Sequence, residues 1–377
     1  MLGRGYGLRL LVGLAVLGLL SGCASSATLS PPPATPASTA VPSLPVATPA
    51  ATTTPTPTTG AIPTRPPVPT IGQPADDGAR IVAVTTVDAR TRDLTIQSPA
   101  LGTFAPASGT LGSTVTVRLL LPSQFDAQPA TRWPVLYLLT GAPGDHTDWT
   151  QYTDVEKLTA PTNLLVVMPD AEGVDGYGWY SDWWNGGAGG PPKWETFHLV
   201  ELRQLLERNW HAGDKRAIAG LSAGGYGAME YAARQPGTFL AAASFSGILD
   251  PLGKQAWWEA GGWSNDLWGD PVAQADVWKA HDPTDNAAAL KGTALYVAYG
   301  NGKIGPLDNG TPSPYDPDGS VEREVAVESA AFVHQLGALH IPVTVYAYGN
   351  GTHNPPYWSR DLQRWLPLML KALGEKP

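Results

Sequence analysis

Gly220-Leu221-Ser222-Ala223-Gly224 is a serine set between glycines. A strand-like run, residues 215–220, leads into it, and a helix-like run, Ala223–Arg234, leads away. A serine on a sharp strand-to-helix turn exposes its Oγ, and the first N–H groups of the helix then point at a carbonyl under attack. The glycines let the two backbones approach closely. This pattern predicts a nucleophilic serine working through an acyl-enzyme.

A serine hydroxyl is a poor nucleophile at neutral pH and needs a histidine base and a carboxylate to orient that base. With the serine on such a turn, the chain order is serine, acid, histidine. His353 ends Gly349-Asn350-Gly351-Thr352-His353, a turn-like stretch after the strand-like run 343–348 and before the last helix, so it is the expected base. His334 and His340 lie in or just after a helix pattern, His281 falls in a long insertion, and His146, His198 and His211 precede the serine. The acid is expected after the strand-like run 294–299. Glu322, in the first turn of a helix starting near Ser320, can reach back over the sheet; it also suits that helix N-terminus simply as an acidic residue. Glu324, Glu328, Asp316 and Asp250 are its rivals. Two N–H donors are expected to hold the oxyanion: Ala223, and Ala142 in the turn Thr140-Gly141-Ala142-Pro143-Gly144, where Pro143 has no N–H to give.

These groups need a sheet to position them. Strand-like runs at 114–121, 135–139, 164–168, 216–219, 240–245, 294–299 and 343–348 alternate, after residue 130, with helix-like runs at 194–210, 223–235, 320–336 and 357–373. Several strands are near-continuously apolar, which predicts a mostly parallel central sheet flanked by helices on both faces. Residues 81–121 predict antiparallel strands at one edge. Residues 250–285, after the strand that follows the serine's helix, form an insertion carrying Trp257, Trp258, Trp263, Trp268 and Trp278. It reads either as a lid or acyl-binding wall near the strand ends or as a satellite core. Trp179, Trp183 and Trp184 fall near the expected rim, where aromatics stack on a sugar or hold an acyl chain; Trp183 reads more as core packing. Thr140, Trp179, Trp184 and Tyr226 are the candidate substrate-binding residues.

The 377 residues do not all belong to that sheet. Residues 1–22 read as a signal segment, with Arg4 and Arg9 before an apolar run too short for a membrane span. The run ends in Leu20-Ser21-Gly22-Cys23, which resembles a bacterial lipobox and implies a lipid anchor on Cys23, the chain's only cysteine. A lipidated Cys23 leaves no thiol for disulfides, thiolate metal sites or a cysteine nucleophile. Residues 23–75 read as a disordered Pro/Thr/Ala-rich linker, and 76–377 as one α/β domain. The seven histidines show no metal-binding spacing, so no metal is expected. A formal charge of −9 without a basic stripe argues against nucleic acid as a partner.

The chain resembles the secreted mycolyltransferases of the antigen 85 family and the wider esterase D-like branch of α/β-hydrolases, from about residue 135 to residue 373. Tyr137-Leu138-Leu139, Tyr180-Ser181-Asp182-Trp183, Trp194-Glu195-Thr196-Phe197, Gly220-Leu221-Ser222, Leu249-Asp250-Pro251, Gly300-Asn301-Gly302, Gly351-Thr352-His353 and Tyr357-Trp358 carry the resemblance. It implies an α/β-hydrolase fold without a cofactor, a nucleophile at Ser222, a base at His353 and oxyanion donors at Ala142 and Ala223. The family's acid, placed by its spacing from a helix phenylalanine that is Phe332 here, falls on Glu322. Three positions depart. Thr140 and Pro143 stand where the mycolyltransferases carry an aspartate and an arginine near trehalose, and Pro355 stands where they carry a tryptophan. The expectation is an extracytoplasmic, membrane-anchored serine esterase acting on a small-molecule or glycolipid ester. An acyltransferase, and a non-catalytic binding protein on a hydrolase fold, are the alternatives.

Overall fold

The structure is a computed structural model that describes residues 71–102, 114–173, 176–184, 192–253 and 267–376. Cys23, the signal-like segment, the linker up to residue 70, and Trp257, Trp258 and Trp263 lie outside the described residues. The chain divides into two units, Met1–Thr64 and Arg65–Pro377, and the fold belongs to the second.

Three antiparallel strands come first: β1 (Arg80–Thr86), β2 (Thr91–Gln97) and β3 (Thr114–Leu120). β4 (Trp133–Leu139), the short helices α1 (Asp148–Tyr152) and α2 (Val155–Thr159), and β5 (Leu165–Pro169) follow. A small hairpin, β6 (Glu172–Gly173) and β7 (Gly176–Tyr177), leads to α3 (Trp194–Thr196), a π-helical turn (Phe197–Leu202) and α4 (Arg203–Asn209). Then come β8 (Ala212–Leu221), α5 (Ala223–Arg234), β9 (Ala241–Phe245), α6 (Ala275–Ala280), β10 (Ala294–Tyr299), α7 (Ser320–Ala338), β11 (Val343–Ala347) and α8 (Pro355–Leu373).

The main sheet has nine strands in the order β1-β2-β3-β5-β4-β8-β9-β10-β11. It is parallel from β5 to β11, and the antiparallel strands occupy one edge. Register aligns Leu139 with Gly220, Leu221 with Phe245, Phe245 with Ala298 and Tyr299 with Ala347. The carboxyl ends of β4, β8, β9, β10 and β11 therefore finish side by side, and the loops after them share one edge, where ligands bind in open α/β sheets.

Burial explains the strands. Every residue of β4, β5 and β9 is buried, as strands covered on both faces must be. One core joins the sheet to α5, α7 and the segment around Trp268; the other joins it to α8 through Trp358, Leu362, Trp365 and Met369, spaced to share one helical face. α5 is buried from Ala223 to Ala233, and its Ala- and Gly-rich sequence lets sheet and insertion close on it from opposite sides.

Three expectations need correction. The linker does not run to residue 75: Ile71 bridges Ile81, the Gln73 N–H donates to Asn209 Oδ1 at 2.6 Å, and Ala75 is buried, because side chains of α4 satisfy this segment's backbone. The helix expected over 194–210 contains a π-helical turn. The strand expected over 215–220 begins at Ala212, where it pairs with Trp133. Within the insertion, Trp268 and Trp278 are fully buried with ring centroids 5.0 Å apart, and Trp268 stacks on His281 at 5.7 Å. These two tryptophans form a satellite core and not a lid.

Candidate active site

β8 ends at Leu221, and α5 starts two residues later, at Ala223. Ser222 between them has φ 52° and ψ −123°, a conformation that β-carbon-bearing residues rarely adopt. The turn is locked from both sides. The Ser222 N–H donates to the Phe245 carbonyl at 3.0 Å, and the Ser222 carbonyl accepts from Gly225 at 2.9 Å. A Cβ at Gly220 would run into the Gly224 carbonyl, so only glycine allows the strand to meet the helix here.

The turn after β4 lies against this elbow. A Cβ on Gly141 would sit 3.0 Å from Ser222 Cβ and 2.7 Å from Leu221 Cδ1. Tyr180 fixes the turn by donating its hydroxyl to the Thr140 carbonyl at 2.6 Å, and Trp149 Nε1 donates to the Leu139 carbonyl at 3.1 Å. The N–H groups of Ala142 and Ala223 have no backbone acceptor among the described residues.

His353 follows β11 and is buried, with Nδ1 2.7 Å from Glu322 Oε2. Glu322 is 0% exposed. Its other oxygen, Oε1, accepts from the Gly300 N–H at 2.6 Å, the Ser246 hydroxyl at 2.8 Å and the Tyr348 hydroxyl at 3.2 Å. Those donors stand just past the ends of β10, β9 and β11. A buried carboxylate with one oxygen saturated and the other on an imidazole is fixed in orientation. Two rivals are engaged elsewhere: Asp316 accepts from the Val321 and Glu322 N–H groups, and Glu328 accepts from the Asp250 N–H.

Ser222 and His353 open into one cleft, lined also by Gly141, Ala142, Pro143 and Leu221. Asp148, Tyr152, Tyr315, Pro355 and Trp358 complete the lining. Trp358 meets His353 edge to face, with ring centroids 5.0 Å apart. Burial pushes the Asp148 carboxyl up to about 6; the Thr140 hydroxyl, 2.5 Å from Asp148 Oδ2, works against that rise, and the nearby Asp145 charge adds to it.

The four candidate substrate-binding residues are not in this lining. Thr140 is buried, with its hydroxyl turned to Asp148. Trp179 and Tyr226 are buried in the core, where their rings meet at 6.4 Å and the Tyr226 hydroxyl donates to the His281 carbonyl at 3.0 Å. Trp184 is exposed but sits beside Gly269 of the insertion. Tyr226 was misassigned because α5 has no solvent face. The lining residues Asp148, Tyr152, Tyr315 and Trp358, and the Glu322 donors Ser246 and Tyr348, were missed. Ser246 and Tyr348 directly follow β9 and β11, and that position is the signal that could find them; Asp148, Tyr152, Tyr315 and Trp358 lie farther along and carry no such signal.

Asp145, His146 and Asp170 bring possible metal-ligating atoms within 4.8 Å of one another. His146 Nδ1 already lies 2.8 Å from Asp170 Oδ1, and the same oxygen accepts the His146 N–H at 2.7 Å. The group thus ties the turn after β4 to the end of β5 by itself.

The model of the esterase family ("Putative esterase") matches residues 108–369. This chain belongs to that family. It is an ester-hydrolysing or acyl-transferring enzyme with the α/β-hydrolase fold. It is 32% identical over 262 residues to the diacylglycerol acyltransferase/mycolyltransferase Ag85B of Mycolicibacterium smegmatis, covering 63% of this chain and 77% of that protein. It is 29% identical over 299 residues to the esterase Rv1288 of Mycobacterium tuberculosis, covering 74% of this chain and 62% of that protein. Among solved structures, Mycobacterium tuberculosis MPT51 superposes with a TM-score of 0.60 at 24% identity, over 76% of this chain and all (100%) of that one. An S-formylglutathione hydrolase from Agrobacterium tumefaciens gives 0.60 at 18% identity, over 78% and 99%. These two likenesses are of fold alone.

Proposed function

We propose that this enzyme is a serine esterase that cleaves a carboxylic ester through an acyl-enzyme on Ser222. His353 takes the serine proton as Oγ attacks the ester carbonyl, and Glu322 orients the imidazole and stabilises its cation. The Ala142 and Ala223 N–H groups hold the oxyanion. His353 then returns the proton to the leaving alcohol. In the second half it activates a water, which releases the acid and frees the serine. The observation that carries this reading is the 2.7 Å bond between His353 Nδ1 and a saturated, buried Glu322, beside a serine strained at φ 52° in the same cleft.

Acyl transfer to a second alcohol is the other reading, favoured by the 32% identity to a mycolyltransferase. Thr140, Pro143 and Pro355 support hydrolysis, because they replace the residues that the resemblance associates with trehalose. Product analysis separates the two: p-nitrophenyl esters of short and long acids are supplied with and without a sugar acceptor. Free acid in a Ser222-dependent reaction supports the esterase, and acylated sugar supports the transferase.

The lipobox-like Leu20-Ser21-Gly22-Cys23 and the linker after it support an extracytoplasmic enzyme held to a membrane by a lipid on Cys23. No helix among the described residues is long and apolar enough to cross a membrane. Metabolic labelling with a fatty acid is expected to tag the full chain and not Cys23→Ser; equal labelling of both would contradict the anchor.

A further inference from the structure

Among the described residues, the one charged residue lining the catalytic cleft, His353 aside, is a carboxylate. Asp148 begins α1 and faces the cleft together with Tyr152 of the same helix, Tyr315 from the loop after β10 and Trp358 of α8. The Thr140 hydroxyl donates to Oδ2. Tyr152 and Tyr315 are 43% and 50% exposed, so their rings are open to a ligand. Among the described residues, no lysine or arginine lines the cleft to neutralise the carboxylate. A carboxylate among aromatic rings is the chemistry that attracts an ammonium group, through charge and through the ring faces together. The same field repels a carboxylate or phosphate on the substrate.

We infer that Asp148 sets the charge preference of the cleft, which takes esters bearing an ammonium group near the reacting carbonyl over neutral ones and turns away anionic ones. This rests on the esterase reading above and specifies its substrate class. The groups acting on Asp148 are the Thr140 hydroxyl, Asp145 on its own turn and Asp170 after β5, with Tyr152, Tyr315 and His353 in the same lining. Burial raises the carboxyl to about 6, so the preference is held above that pH and fades as Asp148 gains its proton below it.

The test uses the full-length protein and two matched ester series. One places the charge on the acid: p-nitrophenyl esters of 4-(trimethylammonio)butanoate, 5,5-dimethylhexanoate and glutarate. The other places it on the alcohol: the acetates of choline, 3,3-dimethylbutanol and 4-hydroxybutanoate. The readout is the cation-to-anion ratio of kcat/KM in the wild type, divided by that ratio in Asp148→Asn. This cancels intrinsic reactivity and any uniform loss from a disturbed turn. At an effective dielectric of about 20 and separations of about 6–8 Å, the quotient multiplies the cation's gain by the anion's loss and is expected at roughly 10³- to 10⁴-fold at pH 8 and low salt, in at least one series. A quotient within about twofold of one in both series overturns the inference, as does a variant that slows all esters equally. Calorimetric binding of the same esters to Ser222→Ala makes the comparison without turnover. Loss of Ser222-dependent turnover with every ester would instead count against the esterase reading, and the binding ratios would still decide the role of Asp148.

Discussion

Glu322→Gln is the sharpest single perturbation, because the surroundings of the side chain dictate how the amide must lie. Oε1 accepts three donors, one of them the Gly300 backbone N–H at 2.6 Å, which cannot turn round to accept. The glutamine carbonyl must therefore take the Oε1 position, leaving its NH2 against His353 Nδ1. An NH2 donates to Nδ1 and forces the imidazole proton onto Nε2, the nitrogen that must be free to accept the serine proton. Flipping the amide restores the acceptor for His353 but faces the Gly300 N–H with a donor in a fully buried site. That costs about 1–3 kcal/mol, or roughly 5- to 150-fold in population. The flipped form also lacks the negative charge that stabilises the imidazolium. Both routes together place the expected loss in kcat/KM at about 10³- to 10⁴-fold, or ~4–5.5 kcal/mol of transition-state stabilisation. The assay is p-nitrophenyl ester turnover by the full chain, with circular dichroism melting to establish that the variant is folded. A folded Glu322→Gln protein losing less than tenfold would refute both the role of Glu322 and the reasoning from its three donors.

Gly141→Ala is expected to lower kcat by about 10²-fold or more, because the new Cβ meets Ser222 Cβ at 3.0 Å and Leu221 Cδ1 at 2.7 Å and pushes the Ala142 N–H out of line; full activity would show that the turn does not supply an oxyanion donor. Stability is expected to fall as pH rises from about 5 to about 8. Burial raises Glu328 and Glu230 to about 8 and Asp361 to about 7, so the fold holds protons that the unfolded chain releases above its ordinary carboxyl values. The contribution of Glu328 is complete below about 4.5 and is lost as pH climbs through about 8, so Glu328→Gln should flatten the Tm profile by a few °C. A wild-type Tm that is level or rising over that range contradicts this.

The sequence revealed most where local chemistry leaves little choice. A serine between glycines at a strand end implies an elbow, and in the α/β-hydrolase fold the chain order is serine, acid, histidine. Apolar runs such as Val135–Leu139 read directly as buried strands. Long-range packing was harder to read. Tyr226, a candidate substrate-binding residue, lies on α5, which is enclosed on all sides; the run Ala-Gly-Gly-Tyr-Gly-Ala-Met holds that information, since a helix apolar all round has no solvent face. Trp179 reads as a substrate ring and is core, while Trp268 falls on the satellite-core side of the two readings of its insertion. The residues that do line the cleft come from four separate stretches, and only the fold brings Asp148, Tyr315 and Trp358 to one serine. Ser246 and Tyr348 had no motif to mark them, because their role is to complete the partners of a glutamate far away in sequence.

The central claim is that Ser222 becomes acylated with His353 as its base. Intact-protein and peptide mass spectrometry after brief, acid-quenched mixing of the full chain with a p-nitrophenyl ester tests it directly. The account expects one added acyl mass, mapped to the peptide containing Ser222, absent from Ser222→Ala and strongly reduced in His353→Ala. Ester turnover with no acyl group on Ser222, or an acyl group on another residue, would contradict it.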